Sequence, residues 1–157
     1  MLVILLLLLN ASYSFGSGQM ACSSFVSADG RAFQLGEAYQ SADLVVIGQV
    51  VYGTKPMLKI KTKIKGVEKA NEIELTPSHC QGTACSGGFS VAPKVDLLFL
   101  LSHQKNGLYD SVTGNGNYSC PVVYEVEKDI VNFRNKKIPV KSLEKYFQSK
   151  PDPVPLY

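Results

Sequence analysis

Residues 58–65 show the most regular alternation of apolar and polar positions in the chain. Every second residue is a lysine, and the two sets are Leu58, Ile60, Thr62, Ile64 and Lys59, Lys61, Lys63, Lys65. A period of two predicts a half-buried strand with the lysines on its exposed face. The preceding segment, Leu44–Tyr52, is almost continuously apolar and β-branched, which indicates a central strand buried on both faces.

Further strands are predicted along the rest of the chain, with a helix near each end. Apolar residues at helical spacing predict a short helix over 32–41, and an amphipathic pattern after Pro139 predicts another over 140–148. Asn106-Gly107 is a hairpin-turn signal, and strand-like runs occupy 72–76, 88–92, 96–101, 108–112 and 121–126. Five or six short strands with two helices predict a mainly β, closed or partly open barrel, and an all-β sandwich is the competing architecture.

The first nine residues form one unbroken apolar run. Its length matches the central region of a signal peptide and falls short of the ~20 residues of a membrane-spanning helix. Small residues at positions −3 and −1 permit cleavage after Ser14 or after Gly18, whereas cleavage after Ala21 would place Gln19 at −3, which fits the pattern poorly. We therefore expect residues 1–21 to be a signal peptide and the mature chain to be secreted, or periplasmic in a Gram-negative bacterium. A lipid anchor on Cys22 and a truncated membrane anchor are the alternatives.

The numbers of basic and acidic side chains bear on the kind of partner that the protein binds. The 157 residues include 16 basic and 13 acidic side chains, for a formal net charge of +3. This balance argues against a nucleic-acid-binding protein. The lysine stripe, defined as Lys59, Lys61, Lys63 and Lys65, is the candidate surface for a polyanion. No aromatic residue interleaves these lysines, so we favour a solvated face that also protects an edge strand from aggregation.

Four cysteines, Cys22, Cys80, Cys85 and Cys120, form an even set. In an oxidising compartment they predict two disulfides, and spacing alone leaves all three connectivities open. The rival interpretation is a zinc site, because His79 lies beside Cys80 and close to Cys85. The spacing matches no usual zinc-ligand pattern, so we predict no intrinsic metal ion and no cofactor.

No set of residues points to catalysis. The two histidines, His79 and His103, lack the free thiol and the orienting group that nucleophilic catalysis requires. Glu72 and Glu74 alternate on one face of a predicted strand, where they lack the burial that acid–base catalysis uses. Gly87 and Gly88 precede a predicted strand, whereas the glycines of a phosphate-binding loop precede a helix. We therefore predict a binding protein and not an enzyme.

The order of several short motifs resembles a known family. The motifs are Ala42-Asp43-Leu44-Val45-Val46 before a long strand, Lys65-Gly66 before Glu72-Ile73-Glu74-Leu75-Thr76, Cys85-Ser86-Gly87, Asp96-Leu97-Leu98-Phe99-Leu100, Asn106-Gly107-Leu108 and Cys120. Over roughly residues 22–123 they resemble the N-terminal, netrin-like domain of the tissue inhibitors of metalloproteinases and their small exported bacterial relatives. The resemblance implies an OB-like five-stranded barrel, and we place this netrin-like domain over 22–133. The residue pattern itself predicts a C-terminal helix and a proline-rich tail over 134–157.

The resemblance also implies a mode of action. Family members act through their mature N-terminus, where the α-amino group and carbonyl oxygen of the first cysteine chelate the catalytic zinc of the protease. By position this role falls on Cys22, and Ser23 would enter the specificity pocket. An amine and a carbonyl on one residue form a five-membered chelate that displaces the zinc-bound water. The implied function is metalloprotease inhibition, which requires cleavage immediately before Cys22. The alternative is an exported structural or adhesion module that binds a protein or a polyanion.

Three positions depart from the family pattern. Ser24 replaces the second N-terminal cysteine, Gln40 replaces a cysteine of the first helix, and Cys80 is an addition. Each disulfide is expected to stabilise the fold by about 3 kcal/mol by restricting the unfolded chain. The resemblance implies Cys22–Cys85, and we infer Cys80–Cys120 as its companion, so this is the favoured pairing. Cys80–Cys85 with Cys22–Cys120 is the alternative.

Overall fold

The computed structural model describes residues 35–77, 79–81, 84–86, 91, 93–112, 123–133 and 136–149. The helices of this part of the chain are α1 (Leu35–Ser41), a 3-10 helix (Val140–Ser142) and α2 (Leu143–Gln148). The strands are β1 (Leu44–Tyr52), β2 (Pro56–Lys65), β3 (Glu72–Glu74), β4 (His79–Gln81), β5 (Ala84–Ser86), β6 (Leu97–His103), β7 (Tyr109–Ser111), β8 (Val123–Glu127), β9 (Ile130–Phe133) and β10 (Lys136–Pro139).

Eight of these strands form one antiparallel sheet. The strand order is β10-β9-β8-β6-β1-β2-β3, and β7 pairs with β6 outside this path. The two remaining strands, β4 and β5, form a separate hairpin. The prediction of a mainly β protein with two small helices is therefore confirmed. The sheet is not closed into a barrel.

The sequence pattern missed four strands, namely β4, β5, β9 and β10. Each is only three or four residues long, so none contains enough positions to show a period of two. Strand β10 also carries two lysines and a proline, which is typical of a sheet edge rather than of a buried strand. The strand predicted over 88–92 falls almost wholly outside the described residues, as does the tail over 150–157.

The strands β3 and β7 meet at a seam, defined here as the contact between residues 75–76 and Tyr109. Leu75 and Tyr109 form one isolated parallel bridge. The backbone N–H of Thr76 donates to the carbonyl oxygen of Tyr109 at 2.8 Å, and that of Leu75 donates to the carbonyl of Pro56 at 2.9 Å. The strand path β3-β2-β1-β6-β7 therefore bends until its two ends touch at one point, without a continuous ladder between them.

Strand β1 is buried on both faces, as its apolar run predicts. Its odd-numbered members Val45 and Ile47 pack into one core with the two helices, the strand β9 and Leu98 and Leu100 of β6. Its other face contributes to a second core that contains Leu44, Val46, Val50, Leu58, Ile73, Leu75, Leu97, Phe99 and Leu101. The sheet thus separates two cores, and β1 supports both.

The helices cover only the first of these cores. In α1 the buried residues are Leu35, Ala38 and Tyr39, which follow helical spacing. In α2, Leu143 and Phe147 lie one turn apart and face the same core. The rings of Tyr39 and Phe147 stack with centroids 4.1 Å apart, so the two helices contact each other across the core.

The strict alternation predicted for β2 is interrupted by two bulges. The register with β1 skips Ile64 between Val45 and Val46, and it skips Lys61 between Ile47 and Gly48. Each extra residue changes the face toward which the following side chains point. Ile60 therefore packs against the second core, whereas Ile64 packs against the first. The predicted single apolar face of residues 58–65 is wrong for this reason.

Candidate functional site

The residues expected to form an inhibitory terminus lie mostly outside the described chain. Cys22, Ser23 and Cys120 are all in this category. The backbones of Cys80 and Cys85 are described, and they are direct register partners in the β4–β5 hairpin. Opposed Cα atoms in such a pair are about 4.5–5.5 Å apart, a separation that a disulfide can span. Both disulfide pairings remain predictions, and the backbone register is compatible with the one that includes Cys80–Cys85.

Three members of the lysine stripe have acidic or carbonyl partners across the sheet. The Nζ of Lys59 lies 3.4 Å from an Oε of Glu72 on the neighbouring strand β3. Lys61 Nζ lies 2.7 Å from Oδ1 of Asp96. Lys63 donates to a backbone carbonyl of the β2–β3 loop at 2.6 Å. These three ammonium groups, which the bulges of β2 keep from sharing one face, are therefore bonded within the chain rather than free for an external anion.

The fourth member, Lys65, is bonded more completely than the others. Its ammonium donates to the carbonyl oxygens of Tyr39 at 2.8 Å, Gln40 at 2.9 Å and Ala42 at 2.6 Å. It also lies 5.1 Å from the centroid of the Tyr39 ring. Carbonyls at the end of a helix lack intrahelical partners and carry partial negative charge, which a lysine neutralises. Lys65 thus fastens the end of α1 to the end of β2.

Asp96 lies at the centre of a polar cluster that bridges three strands. Its Oδ1 accepts a hydrogen bond from Nε2 of Gln49 at 2.6 Å and faces Lys61 at 2.7 Å. Asp96 and Lys61 line a concavity of about 220 Å³ together with Lys128 and Asp129. These two residues form the β8–β9 turn with φ of +51° and +61°. A bulge and a left-handed turn therefore shape the same depression.

Glu68 fastens the β2–β3 loop across the seam. One carboxylate oxygen accepts from the backbone N–H of Ala70 at 2.7 Å, and the other accepts from the hydroxyl of Tyr109 at 2.9 Å. The hydrogen bond from Ala70, followed by the one from Tyr109, lowers the pKa of Glu68. Burial, followed by the bond to Glu68, raises the pKa of Tyr109 to about 12. The loop is thus held rigidly while its tip residue Val67 remains 95% exposed.

A second concavity, of about 390 Å³, lies beside the seam at the β6–β7 turn. Its lining consists of Thr76, Gln104, Lys105, Asn106 and Asp110. Burial raises the pKa of Asp110, and the N–H of the following residue partly offsets this by donating at 2.7 Å. The lining is a mixture of neutral and charged polar groups, which suits hydrogen bonding to a polar partner.

The histidines do not come together with catalytic partners among the described residues. His103 contacts the Tyr109 ring edge-on at 5.0 Å, and its backbone N–H donates to the carboxylate of Asp43 at 2.8 Å. His79 is described only through its backbone in β4. Within the described ranges, no three side chains of His, Cys, Asp or Glu are grouped so that they could hold a metal ion.

Sequence patterns gave no signal for the Glu68–Tyr109 bond or for the Asp96 cluster. Both join residues that are 35 to 47 positions apart in the chain, so only the fold brings them together.

Comparison with known proteins identifies no relative of this chain: no family model, no curated protein and no solved structure matches it. Among the described helices, none is long and apolar enough to cross a membrane.

Proposed function

We propose that this chain is an exported binding module with an OB-like barrel, and that it inhibits a zinc metalloprotease through the N-terminus created at Cys22. In this proposal the protein acts by binding and performs no catalysis. The strand order around the seam supports the OB-like architecture of this proposal, which the resemblance to netrin-like domains also implies.

Five strands of the sheet, β1, β2, β3, β6 and β7, are the ones that support an OB-like architecture. Strands β1, β2 and β3 form a meander, β6 returns to pair with the other side of β1, and β7 pairs with β6. The ends β3 and β7 then approach in parallel at Leu75 and Tyr109. This order of five strands, with one bridge between the third and the fifth, supports the proposed OB-like architecture, because an OB barrel is a five-stranded, partly open Greek-key barrel.

The inhibitory role rests on the residues that match the family. Cys22 would offer its amine and carbonyl to the protease zinc, and Ser23 would occupy the adjoining pocket. The first described element, α1, begins thirteen residues after Cys22. Lys65 holds the end of that helix through three hydrogen bonds. The disulfide that the resemblance implies for Cys22 would hold the terminus itself, so that less conformational entropy is lost on binding.

Adhesion to a polyanion through the lysine stripe is the less favoured function. Each of the four ammonium groups already has an acidic or carbonyl partner within the chain. An external anion would have to displace those partners, and the exchange would gain little free energy.

The test compares two chains that differ by one residue. The first begins at Cys22, and the second carries one additional alanine before Cys22, which converts the chelating amine into an amide. Both are assayed against a panel of zinc metalloproteases, after mass spectrometry has verified the N-termini. We expect inhibition by the first chain and its loss in the second, with identical circular dichroism spectra.

Two outcomes would contradict the proposal. If a correctly processed and folded Cys22 chain inhibits no zinc protease, the inhibitory function is wrong. If both chains inhibit equally, the chelating amine is not the inhibitory group. Ser23→Ala and Ser23→Leu provide a graded check. Each changes the side chain in the specificity pocket, so each should alter the preference among proteases while leaving the protein folded.

A further inference from the structure

The concavity beside the seam, which we call the seam concavity, is lined by polar side chains throughout. They come from the end of β3, from the β6–β7 turn and from β7, and they are Thr76, Gln104, Lys105, Asn106 and Asp110. Its volume of about 390 Å³ lies near the lower end of the ~300–1,000 Å³ that small-molecule sites occupy. The size therefore favours a ligand as large as one sugar ring.

Two amide side chains of this lining are each held by one internal hydrogen bond. Nε2 of Gln104 donates to Oγ of Ser102 at 3.0 Å, which leaves Oε1 of Gln104 as an acceptor. Oδ1 of Asn106 accepts from the backbone N–H of Leu108 at 3.1 Å, which leaves Nδ2 of Asn106 as a donor. Neither remaining group has a hydrogen-bond partner in the part of the chain that the structure describes. The internal bonds fix both amides, so less conformational entropy is lost when a ligand binds them.

The two charged residues of the lining do not neutralise each other. Oδ1 of Asp110 accepts from the backbone N–H of Ser111 at 2.7 Å, and no donor among the described residues reaches Oδ2. Burial raises the pKa of Asp110, and no neighbouring cation counteracts this effect. Lys105 is exposed in the β6–β7 turn, and within the described ranges its ammonium makes no ion pair or hydrogen bond. The concavity therefore offers one anionic acceptor and one cationic donor.

The unsatisfied groups of the seam concavity determine the chemistry of its ligand. Two are acceptors, on Asp110 and Gln104, and two are donors, on Lys105 and Asn106. A simple cation would be repelled by the lysine, and a simple anion by the aspartate. A hydroxyl group both donates and accepts, so neighbouring hydroxyls on one ring can satisfy both kinds of group.

We propose that the seam concavity binds a neutral polyhydroxylated ligand, namely a sugar ring. A peptide backbone is less suitable, because its N–H donors and C=O acceptors lie on separate atoms at a fixed spacing along the chain. The proposal concerns a surface other than the N-terminus and does not depend on protease inhibition.

The test is an NMR titration of the isotope-labelled chain that begins at Cys22, with the chemical shifts of its backbone amides as the readout. The neutral probes are glucose, galactose and mannose. Protonated glucosamine and glucuronate add a positive or a negative charge to the same ring. Because a bound sugar replaces water at each polar group, we expect dissociation constants of roughly 1–10 mM for at least one neutral hexose. The amides of residues 104–110 should shift most, and neither charged sugar should bind more tightly than that hexose.

Matched variants test the charged members of the lining. Asp110→Asn removes the anionic acceptor, and Asp129→Asn makes the same chemical change in the β8–β9 turn, where asparagine tolerates the φ of +61°. We expect Asp110→Asn to weaken binding at least about 10-fold and Asp129→Asn to leave it unchanged. Lys105→Met, at an exposed turn position, should weaken binding about 3-fold or more, and it keeps the test decisive if Asp110→Asn does not fold. Circular dichroism verifies that each variant is folded.

Several results would overturn the proposal. One is the absence of amide shifts with all three neutral hexoses up to their solubility limits, and another is tighter binding of either charged sugar. Equal losses in Asp110→Asn and Asp129→Asn would mean that only net charge matters. A folded Lys105→Met protein that binds like the wild type would contradict the assigned donor. A polar tetrapeptide that shifts these amides when the hexoses do not would assign the concavity to a peptide instead.

Discussion

Replacing Gly48 with alanine is expected to destabilise the protein strongly. Gly48 lies inside β1, next to the bulge at Lys61. A Cβ atom at this position would lie 2.3 Å from the backbone oxygen of Lys59 and 2.9 Å from Cδ1 of Leu58. Real Cβ atoms essentially never approach another heavy atom to less than 3.0 Å, so β1 and β2 would have to separate by at least about 0.7 Å.

The magnitude follows from which atoms have to move. The closest atom belongs to the backbone of the paired strand, which cannot rotate aside as the end of a side chain can. Overpacking in a well-packed region costs about 1–3 kcal/mol. Separation of the strands also weakens the ladder beside the site by about 1 kcal/mol for each hydrogen bond lost. We therefore expect Gly48→Ala to lower the free energy of unfolding by about 3 kcal/mol.

Gly36→Ala is the matched control because it makes the same chemical change without a clash. Gly36 lies in α1, and no heavy atom of another residue lies within 4 Å of its added Cβ. Alanine is favoured over glycine inside a helix by about 0.5–1 kcal/mol, so this variant should be slightly more stable than the wild type. Urea unfolding followed by circular dichroism, without added reductant, measures both. A Gly48→Ala protein within about 0.5 kcal/mol of the wild type would refute the reasoning.

Three further substitutions test other parts of the structure by the same urea assay. Lys128→Asn should raise the free energy of unfolding by up to about 1 kcal/mol, because asparagine tolerates the φ of +51° in the β8–β9 turn better than lysine; a loss of stability would contradict this. Phe147→Ala should cost about 3–4 kcal/mol, since the ring is 2% exposed in the core between the helices; a cost below about 1 kcal/mol would mean that the core refills the space. The bonds from Ala70 and Tyr109 lower the pKa of Glu68. Its stabilising contribution is therefore present above pH 4.5 and lost as the pH falls through the folded-state pKa, and Glu68→Gln should remove that part of the acid dependence.

The elements that the sequence predicts correctly are those whose signals are local. The run of apolar and β-branched residues that opens β1, Leu44–Ile47, requires burial on both faces, and the structure places a core on each side. Asn106-Gly107 predicts a tight turn because glycine accepts a left-handed conformation. Gly107 indeed has φ of +84°, and its N–H closes the turn onto Gln104. In α2, Leu143 and Phe147 lie one turn apart, which suffices to predict the face that is buried.

The elements that the sequence does not predict depend on pairing between distant segments. Alternation over 58–65 indicates a strand, but its register with β1 decides where the bulges lie. A glycine inside an otherwise β-branched strand is a signal for close approach of another backbone, and Gly48 carries that signal. The neighbour that approaches, Lys59, could not be identified without the sheet.

The lysines of residues 58–65 also show that a sequence pattern does not identify the partner of a side chain. Four alternating lysines are conspicuous in a sequence, so they suggest an anion-binding face. Alternation reports only which side of a strand faces outward, and it contains no information about what the next strand or loop places opposite. Asp96, for example, lies 35 residues from Lys61, yet it neutralises that ammonium at 2.7 Å.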